Sequence, residues 1–274
     1  MSSLYPEKHD AVVTIGKRMP LAIREYETAA PGPGEVVIRV QWTASSPLNL
    51  HQADGGLLVT PPLILGDTFA GSIVAEGPKD PSAERSLSKA LQVGDQVMGF
   101  TPPDTKSAGF QTYVTTPRHR VGRVPVDLSI TEAITAPSSL VTAIHAIIKD
   151  LQLDLPWPRS SDVTPKEADE PIIVWGAAGS VGQFAVQVLA HWGYRNVVAV
   201  ASSQHHDTLR SFGATECFDY KKANVVDEIK AYAPGTHYIL DCIGHAESTL
   251  QPLSAIAGDG KGRDDVAHHN HRCD

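Results

Sequence analysis

The sequence predicts an α/β protein: a β-rich N-terminal part followed by a doubly wound parallel sheet. Three observations carry this. The apolar run Ile172-Ile173-Val174-Trp175 leads straight into Gly176-Ala177-Ala178-Gly179-Ser180-Val181-Gly182 and then into a helix-compatible stretch ending at His191. A buried strand, a turn of small residues and a helix N-terminus with free N–H groups is the order a pyrophosphate needs. Strand-like and helix-like segments then alternate as far as residue 241, which means βαβ units and a parallel sheet. Residues 1–125 instead show short β-like runs broken by Pro/Gly turns such as Pro31-Gly32-Pro33-Gly34.

Taken in order, the β-like runs are 11–15, 21–26, 35–43, 71–76, 96–100 and 110–115. The stretch 35–42 mixes apolar and polar residues as a half-buried strand does. Residues 129–150 read as helical, with Ala133, Ile134, Leu140, Ile144, Ile147 and Ile148 apolar. Residues 154–170 are polar and proline-containing and read as a surface loop. After the strand at 172–175 and the helix at 183–191 come a strand (196–202), a short helix (207–212), a strand (215–220), a helix (224–232) and a strand (237–241). These make four strands of the six in a full doubly wound fold. The glycine motif alone is weak, since Ala177 holds the first place of G-x-G-x-x-G and a plain glycine-rich turn is the rival reading. The alternation around it raises its standing. The domains are read as 1–125, 126–257 and a polar tail, 258–274.

Composition bounds the function. The chain has 274 residues, 42% hydrophobic and 20% charged, with a net charge of −8. The class is globular, and the charge argues against nucleic acid or an anionic membrane as partner. No apolar run is long enough to span a membrane, and the first residues lack the apolar core of a secretory signal. Cys217, Cys242 and Cys273 are too widely spaced for a disulfide framework or a C-x-x-C site, which fits a cytoplasmic setting.

Several short pieces occur in a telling order: Pro31-Gly32-Pro33-Gly34-Glu35-Val36, Ser46-Pro47-Leu48-Asn49, Leu65-Gly66-Asp67-Thr68-Phe69-Ala70-Gly71 and Val93-Gly94-Asp95-Gln96-Val97-Met98-Gly99. Phe110-Gln111-Thr112-Tyr113-Val114, the 176–182 loop, Phe212-Gly213-Ala214, Phe218-Asp219-Tyr220 and Leu240-Asp241-Cys242-Ile243-Gly244 follow. In this order, over residues 10–257, the chain resembles the medium-chain dehydrogenase/reductases. It is most similar to the zinc-independent quinone oxidoreductase and trans-acting enoyl reductase branch. The resemblance implies an N-terminal GroES-like domain, a C-terminal Rossmann domain and a nicotinamide cofactor.

The zinc branch of that family implies ligands this chain lacks. Ser46 stands where the first cysteine would be, Asp67-Thr68 where a His-Glu pair would be, and no cysteine lies within 136–139. The cysteine-rich lobe expected near 78–91 has no cysteine either. One carboxylate does not make a site, so no metal is expected and Asp67 reads as a turn residue. The cluster His268, His269 and His271 reads as a solvated tail. For the cofactor, the strand at 196–202 ends in Ser202-Ser203-Gln204, with no acid to hold a ribose 2′-OH. The resemblance implies that small hydroxyl residues and a tyrosine there hold a 2′-phosphate, and Ser202, Ser203 and Tyr220 match. NADPH is therefore expected, bound by Thr142, Gly176, Ala177, Ala178, Gly179, Ser180, Val181, Gly182, Ser202, Ser203 and Tyr220. The basic residue of that subsite is not matched clearly; Gln204, His205 and His206 fill its region, and Lys221 could substitute.

Without metal, hydride transfer to an activated C=C or a quinone is the expected reaction. Some enoyl reductases carry a tyrosine where Leu57 stands, so the polar candidates for catalysis are Asn49 and His51, the latter also readable as a loop or packing histidine. The acceptor is expected to be a small-molecule or carrier-bound enoyl or quinone compound. A polyketide synthase is the partner the resemblance implies, and the protein is expected to be a monomer or homodimer. The tail 258–274 carries no strand signal and matches nothing in the family, which usually runs further. It reads as a shifted reading frame, a retained intron or a truncated product that leaves the strand at 237–241 as an exposed edge. A catalytically impaired cofactor- or partner-binding protein on the same fold is the alternative expectation.

Overall fold

The computed structural model describes residues 4–80, 91–101, 104–160, 162–257 and 266–267. The chain divides into two compact units, Met1–Ser138 and Ser139–Asp274. The first therefore runs past residue 125, where the sequence reading placed the boundary.

The first unit is built from antiparallel strands. β1 (Lys8–Thr14) lies between β2 (Ala22–Glu27) and the short β4 (Leu63–Ile64). A five-stranded sheet joins β3 (Glu35–Trp42), β5 (Thr68–Glu76), β6 (Gln96–Phe100), β7 (Tyr113–Pro117) and β8 (Val121–Arg123) in the order β7-β3-β5-β6-β8. Alternate residues of these strands, Val36, Ile38, Phe69, Ile73, Val97 and Val114, form one buried cluster, as the period-2 pattern of a half-buried strand requires. β5 begins earlier than the sequence suggested, and β7 is shifted to 113–117. β8 went unread because three residues carry no periodicity.

One element of this unit was not expected. Residues Pro47–Gly55 form a helix, α1, without an apolar stripe. Its ends explain it. Pro47 sits at its first position, Ser46 is its N-cap, and Gly56 closes it in the left-handed conformation at φ 69°. The stretch expected as one helix from 129 to 150 is broken. α2 (Ile130–Ala133) and α3 (Pro137–His145) are separate, and a π turn at Ala146–Asp150 follows. The ring of Pro137 disfavours helical geometry in the residue before it.

In the second unit β9 (Ile172–Trp175), β10 (Val197–Val200), β11 (Glu216–Phe218) and β12 (Tyr238–Asp241) form a parallel sheet in the order β11-β10-β9-β12. This is the first two-thirds of a doubly wound order. β9 and β10 are buried at every position, because helices cover both faces. Ile172 and Val174 pack with Ala185, Val186 and Leu189 of α4 (Ser180–Trp192). Ile173, Val198 and Ile239 pack on the other face with Ile229 of α6 (Val225–Tyr232) and with Leu253 and Ile256 of α7 (Gln251–Ala257). α5 (His206–Ser211) follows β10. α7 went unread: only Leu253 and Ile256 mark its inner face over seven residues.

The tail corrects one expectation. A short strand β13 (Val266–Ala267) pairs in parallel with β12, Ile239 opposite Val266 and Leu240 opposite Ala267. The edge of β12 is thus covered at two positions, by the one apolar pair in an otherwise polar segment. His268, His269, His271 and Cys273, and most of the position of the absent cysteine lobe, lie outside the described residues.

Leu189 is fully buried between α4 and the sheet. Leu189→Ala is expected to lower stability by about 2–5 kcal/mol, read as a fall in the midpoint of thermal or denaturant unfolding. A loss under 1 kcal/mol would contradict the packing described.

Candidate functional site

The turn after β9 is shaped by two glycines. Gly176 is left-handed, at φ 78°, and the Gly179 amide donates to its carbonyl at 2.9 Å. Gly182 lies one helical turn on, and a Cβ there would stand 2.5 Å from the Gly176 carbonyl oxygen and 2.7 Å from the Ala177 Cα. Only glycine lets helix and turn approach this closely. Ala177, at the position that weakened the motif, is buried with an ordinary negative φ. A methyl group costs nothing there and joins the core.

α4 starts at Ser180 with Gly179 as N-cap, and no side chain caps it. The first bond into the helix is from the Gln183 amide to the Gly179 carbonyl, at 2.8 Å. The amides of Ser180, Val181 and Gly182 precede it and have no carbonyl within the helix. With the positive end of the helix dipole they form an anion cradle. The loop is held from behind: Gln183 Nε2 donates to the Ala178 carbonyl at 2.7 Å, and the Gly176 and Ala177 amides both donate to the Val200 carbonyl. Gln183 was missed by the sequence reading.

The cradle sits at the carboxyl end of β9, beside β12. This is where the strand order reverses, and ligands of open α/β sheets bind in such crevices. After β12, Ile243 leans over Gly176, 56% exposed. The Ile243 amide donates to Asp241 Oδ1 at 2.9 Å, and Asp241 Oδ2 accepts from Thr249 at 2.6 Å. Ile243 was not read as a site residue; only the sheet order brings it to the loop.

At the end of β10, Ser202 Oγ donates to the Tyr220 hydroxyl at 3.1 Å. The Ser203 amide donates to Asp219 Oδ2 at 3.2 Å, and the Lys221 amide to Asp219 Oδ1 at 2.9 Å. These amide bonds, that of Lys221 foremost, hold the Asp219 carboxyl below its usual range. They tie the two loops together, so Ser202, Ser203 and Tyr220 are neighbours. Lys221 Nζ lies over the Tyr220 ring, 5.9 Å from its centre. Gln204 and His205 bond to each other, and His206 faces the Ala201 carbonyl. Thr142 lies half-buried on α3.

In the first unit, α1 does not bring Asn49 and His51 together. Two residues apart on a helix, they are separated by about 200° of rotation. Asn49 is buried, at 5% exposure; its Oδ1 accepts from the Ser46 amide at 2.9 Å and the Ser46 hydroxyl at 3.2 Å. Its Nδ2 points to Gln52 Oε1 at 3.4 Å. His51 is exposed.

Positions 46 and 67 and the segment 136–139, where the zinc branch would place ligands, do converge. They carry Ser46, Asp67 and Ser138. Ser138 Oγ donates to Asp67 Oδ2 at 3.2 Å, and Ser46 also bears on the carboxyl. Burial pushes the Asp67 carboxyl above its usual range. No group of three His, Cys, Asp or Glu that could hold a metal ion occurs among the described residues. Burial raises the Cys217 thiol and takes Cys242 up to about 12, so neither is a thiolate nucleophile at neutral pH.

Comparison with known proteins agrees with this architecture. The family model "Alcohol dehydrogenase GroES-like domain" matches residues 32–126, and "Zinc-binding dehydrogenase" matches residues 180–262. Trans-enoyl reductase himH of Aspergillus japonicus is 33% identical over 219 residues, covering 78% of this chain; the chain spans only 60% of that relative's length. Trans-enoyl reductase tazE of Aspergillus terreus is 30% identical over 276 aligned positions, covering 95% of this chain and 86% of the relative. Among solved structures, an alcohol dehydrogenase superfamily protein from Novosphingobium aromaticivorans superposes with a TM-score of 0.72 at 23% identity. The match covers 90% of this chain and 69% of that one, and it speaks to the fold.

Proposed function

The chain belongs to the medium-chain dehydrogenase/reductase superfamily, in its enoyl-reductase-like branch, and from that premise we propose that it is an NADPH-dependent reductase of activated double bonds. The observation that carries the reading is the pairing of the amide cradle at residues 176–182 with hydroxyl groups, rather than an acid, at the end of β10. The cradle suits a pyrophosphate: it offers amides without a carbonyl partner in the helix and a dipole end at a switch point, and no side chain caps it.

When bound, the reduced nicotinamide supplies hydride. The chain's own residues do the rest. Gly176, Ala177, Ala178, Gly179, Ser180, Val181 and Gly182 hold the pyrophosphate through backbone amides. Ser202, Ser203 and Tyr220 receive the 2′-phosphate, and Lys221 is the cation within reach of it. Thr142 is a further cofactor contact. Asn49 and His51 are proposed on the acceptor side, with Asn49 shaping the entry of α1 and His51 presented on its exposed face. The acceptor is an enoyl thioester or enone, delivered on a carrier by a polyketide synthase, with a quinone as the alternative electron acceptor. No helix among the described residues is long and apolar enough to cross a membrane, and the free Cys217 and Cys242 suit a reducing cytoplasm.

The test follows NADPH absorbance with three acceptors: an enoyl thioester, an enone and a quinone. Oxidation of NADPH by the thioester or enone, with the saturated product recovered, is the expected result. Bound NADPH that none of the three oxidises would refute the reading.

A further inference from the structure

An acid stands beside the hydroxyl groups assigned to the 2′-phosphate. Asp219 follows β11, half-buried, next to Tyr220 in the chain and bonded across to Ser203. A carboxylate facing a 2′-phosphate would repel it. The hydrogen bonds show where this one faces instead. Oδ1 accepts from the Lys221 amide at 2.9 Å, and Oδ2 accepts from the Ser203 amide at 3.2 Å. The Asp219 carbonyl also accepts from the Lys222 amide, at 3.1 Å. Residues 219–222 therefore form a turn with Asp219 at its first position, where Asp is favoured, and with Tyr220 and Lys221 at its centre.

The two oxygens have different consequences. Oδ1 fixes the turn that presents Tyr220 and Lys221. Oδ2 reaches the other loop. The paired part of β10 and β11 ends at Val200 and Phe218, and one more bond runs from the Ala201 amide to the Phe218 carbonyl at 3.0 Å. Past that point Oδ2 carries the connection on to Ser203, beside the bond from Ser202 to Tyr220. One side chain thus sets the spacing of Ser202, Ser203, Tyr220 and Lys221. Two N–H donors on two separate oxygens require a carboxylate. Asparagine has one acceptor oxygen for the two, and its NH2 group would meet the other N–H.

We propose that Asp219 sets the preference for NADPH as a positioning residue: it clamps the loops after β10 and β11 at the spacing a 2′-phosphate needs. The proposal rests on the NADPH reading above and deepens it. Its consequence is opposite in sign to that of a nearby negative charge. Removing a repelling carboxylate would tighten NADPH binding, whereas removing a clamp loosens it. NADH carries no phosphate at this position, so its affinity is left alone.

Calorimetric titration of wild type, Asp219→Asn and Asp219→Ala with NADPH and NADH separates the two. Both variants are expected to bind NADPH about tenfold more weakly, the order of a lost charge-assisted hydrogen bond, and NADH within about twofold of wild type. The ratio of the two affinities is a readout that general destabilisation does not move. NADPH binding at or above wild-type affinity in either variant, or equal losses for the two nucleotides, would overturn the role. Amide hydrogen exchange in the cofactor-free chain tests the clamp itself. Faster exchange at Ser203 and Lys221 in Asp219→Ala is expected, and unchanged exchange at either would overturn the clamp. A wild-type chain that binds NADPH no more tightly than NADH overturns the NADPH reading and the specificity role with it, while amide exchange still decides whether Asp219 joins the loops.

Discussion

Gly182→Ala is expected to weaken NADPH binding about a hundredfold, or ~2.7 kcal/mol, measured by calorimetric titration. The added Cβ would lie 2.5 Å from the Gly176 carbonyl oxygen and 2.7 Å from the Ala177 Cα. Both are backbone atoms, so no side chain can swing away. Either α4 moves off the turn or the turn opens, and both displace the Ser180, Val181 and Gly182 amides that form the cradle. Overpacking of this kind also costs about 1–3 kcal/mol of stability, so the variant should melt below wild type. Ser180→Ala is the control: it leaves the same amides in place and should bind within about threefold. Equal affinity in Gly182→Ala and wild type would mean that the cofactor does not use this loop.

Ser202→Asp is expected to reverse the choice between the two nicotinamide cofactors. The hydroxyl of Ser202 meets that of Tyr220 at 3.1 Å, at the end of the second strand of the sheet, where an acid would hold a ribose 2′-OH. A carboxylate placed there repels a 2′-phosphate and offers an acceptor to the unmodified ribose. NADPH affinity should fall by about ten- to a hundredfold, ~1.4–2.7 kcal/mol, while NADH affinity holds or rises. The change should shrink at high salt, because the loop is exposed and charges there are screened. Parallel losses for both cofactors would instead mark Ser202 as a structural residue.

The parts legible in the sequence were those set by local pattern. Ile172–Trp175 is continuous and apolar, the loop glycines follow at once, and α4 carries an apolar face; strand, turn and helix therefore stood where the pattern put them. The convergence of Ser202 and Tyr220 was legible only through the resemblance, since their 18-residue separation is bridged by the β10–β11 crossover. What stayed hidden depends on distant contacts or on chain ends. α1 lacks an apolar stripe and exists through its caps, so Asn49 was read without the Ser46 bonds that occupy it. Asp67 read as a turn residue because its partner Ser138 lies 71 residues away. Ile243 reaches Gly176 only because β12 lies beside β9.

The central claim is that residues 176–182, with Ser202, Ser203 and Tyr220, make an NADPH site. Titrating the purified chain with NADPH and NADH, followed by nicotinamide fluorescence, tests it most directly. Saturable binding of NADPH at least tenfold tighter than NADH, weakened by Gly182→Ala, is the predicted result. No binding of either nucleotide, or a preference for NADH, would contradict it.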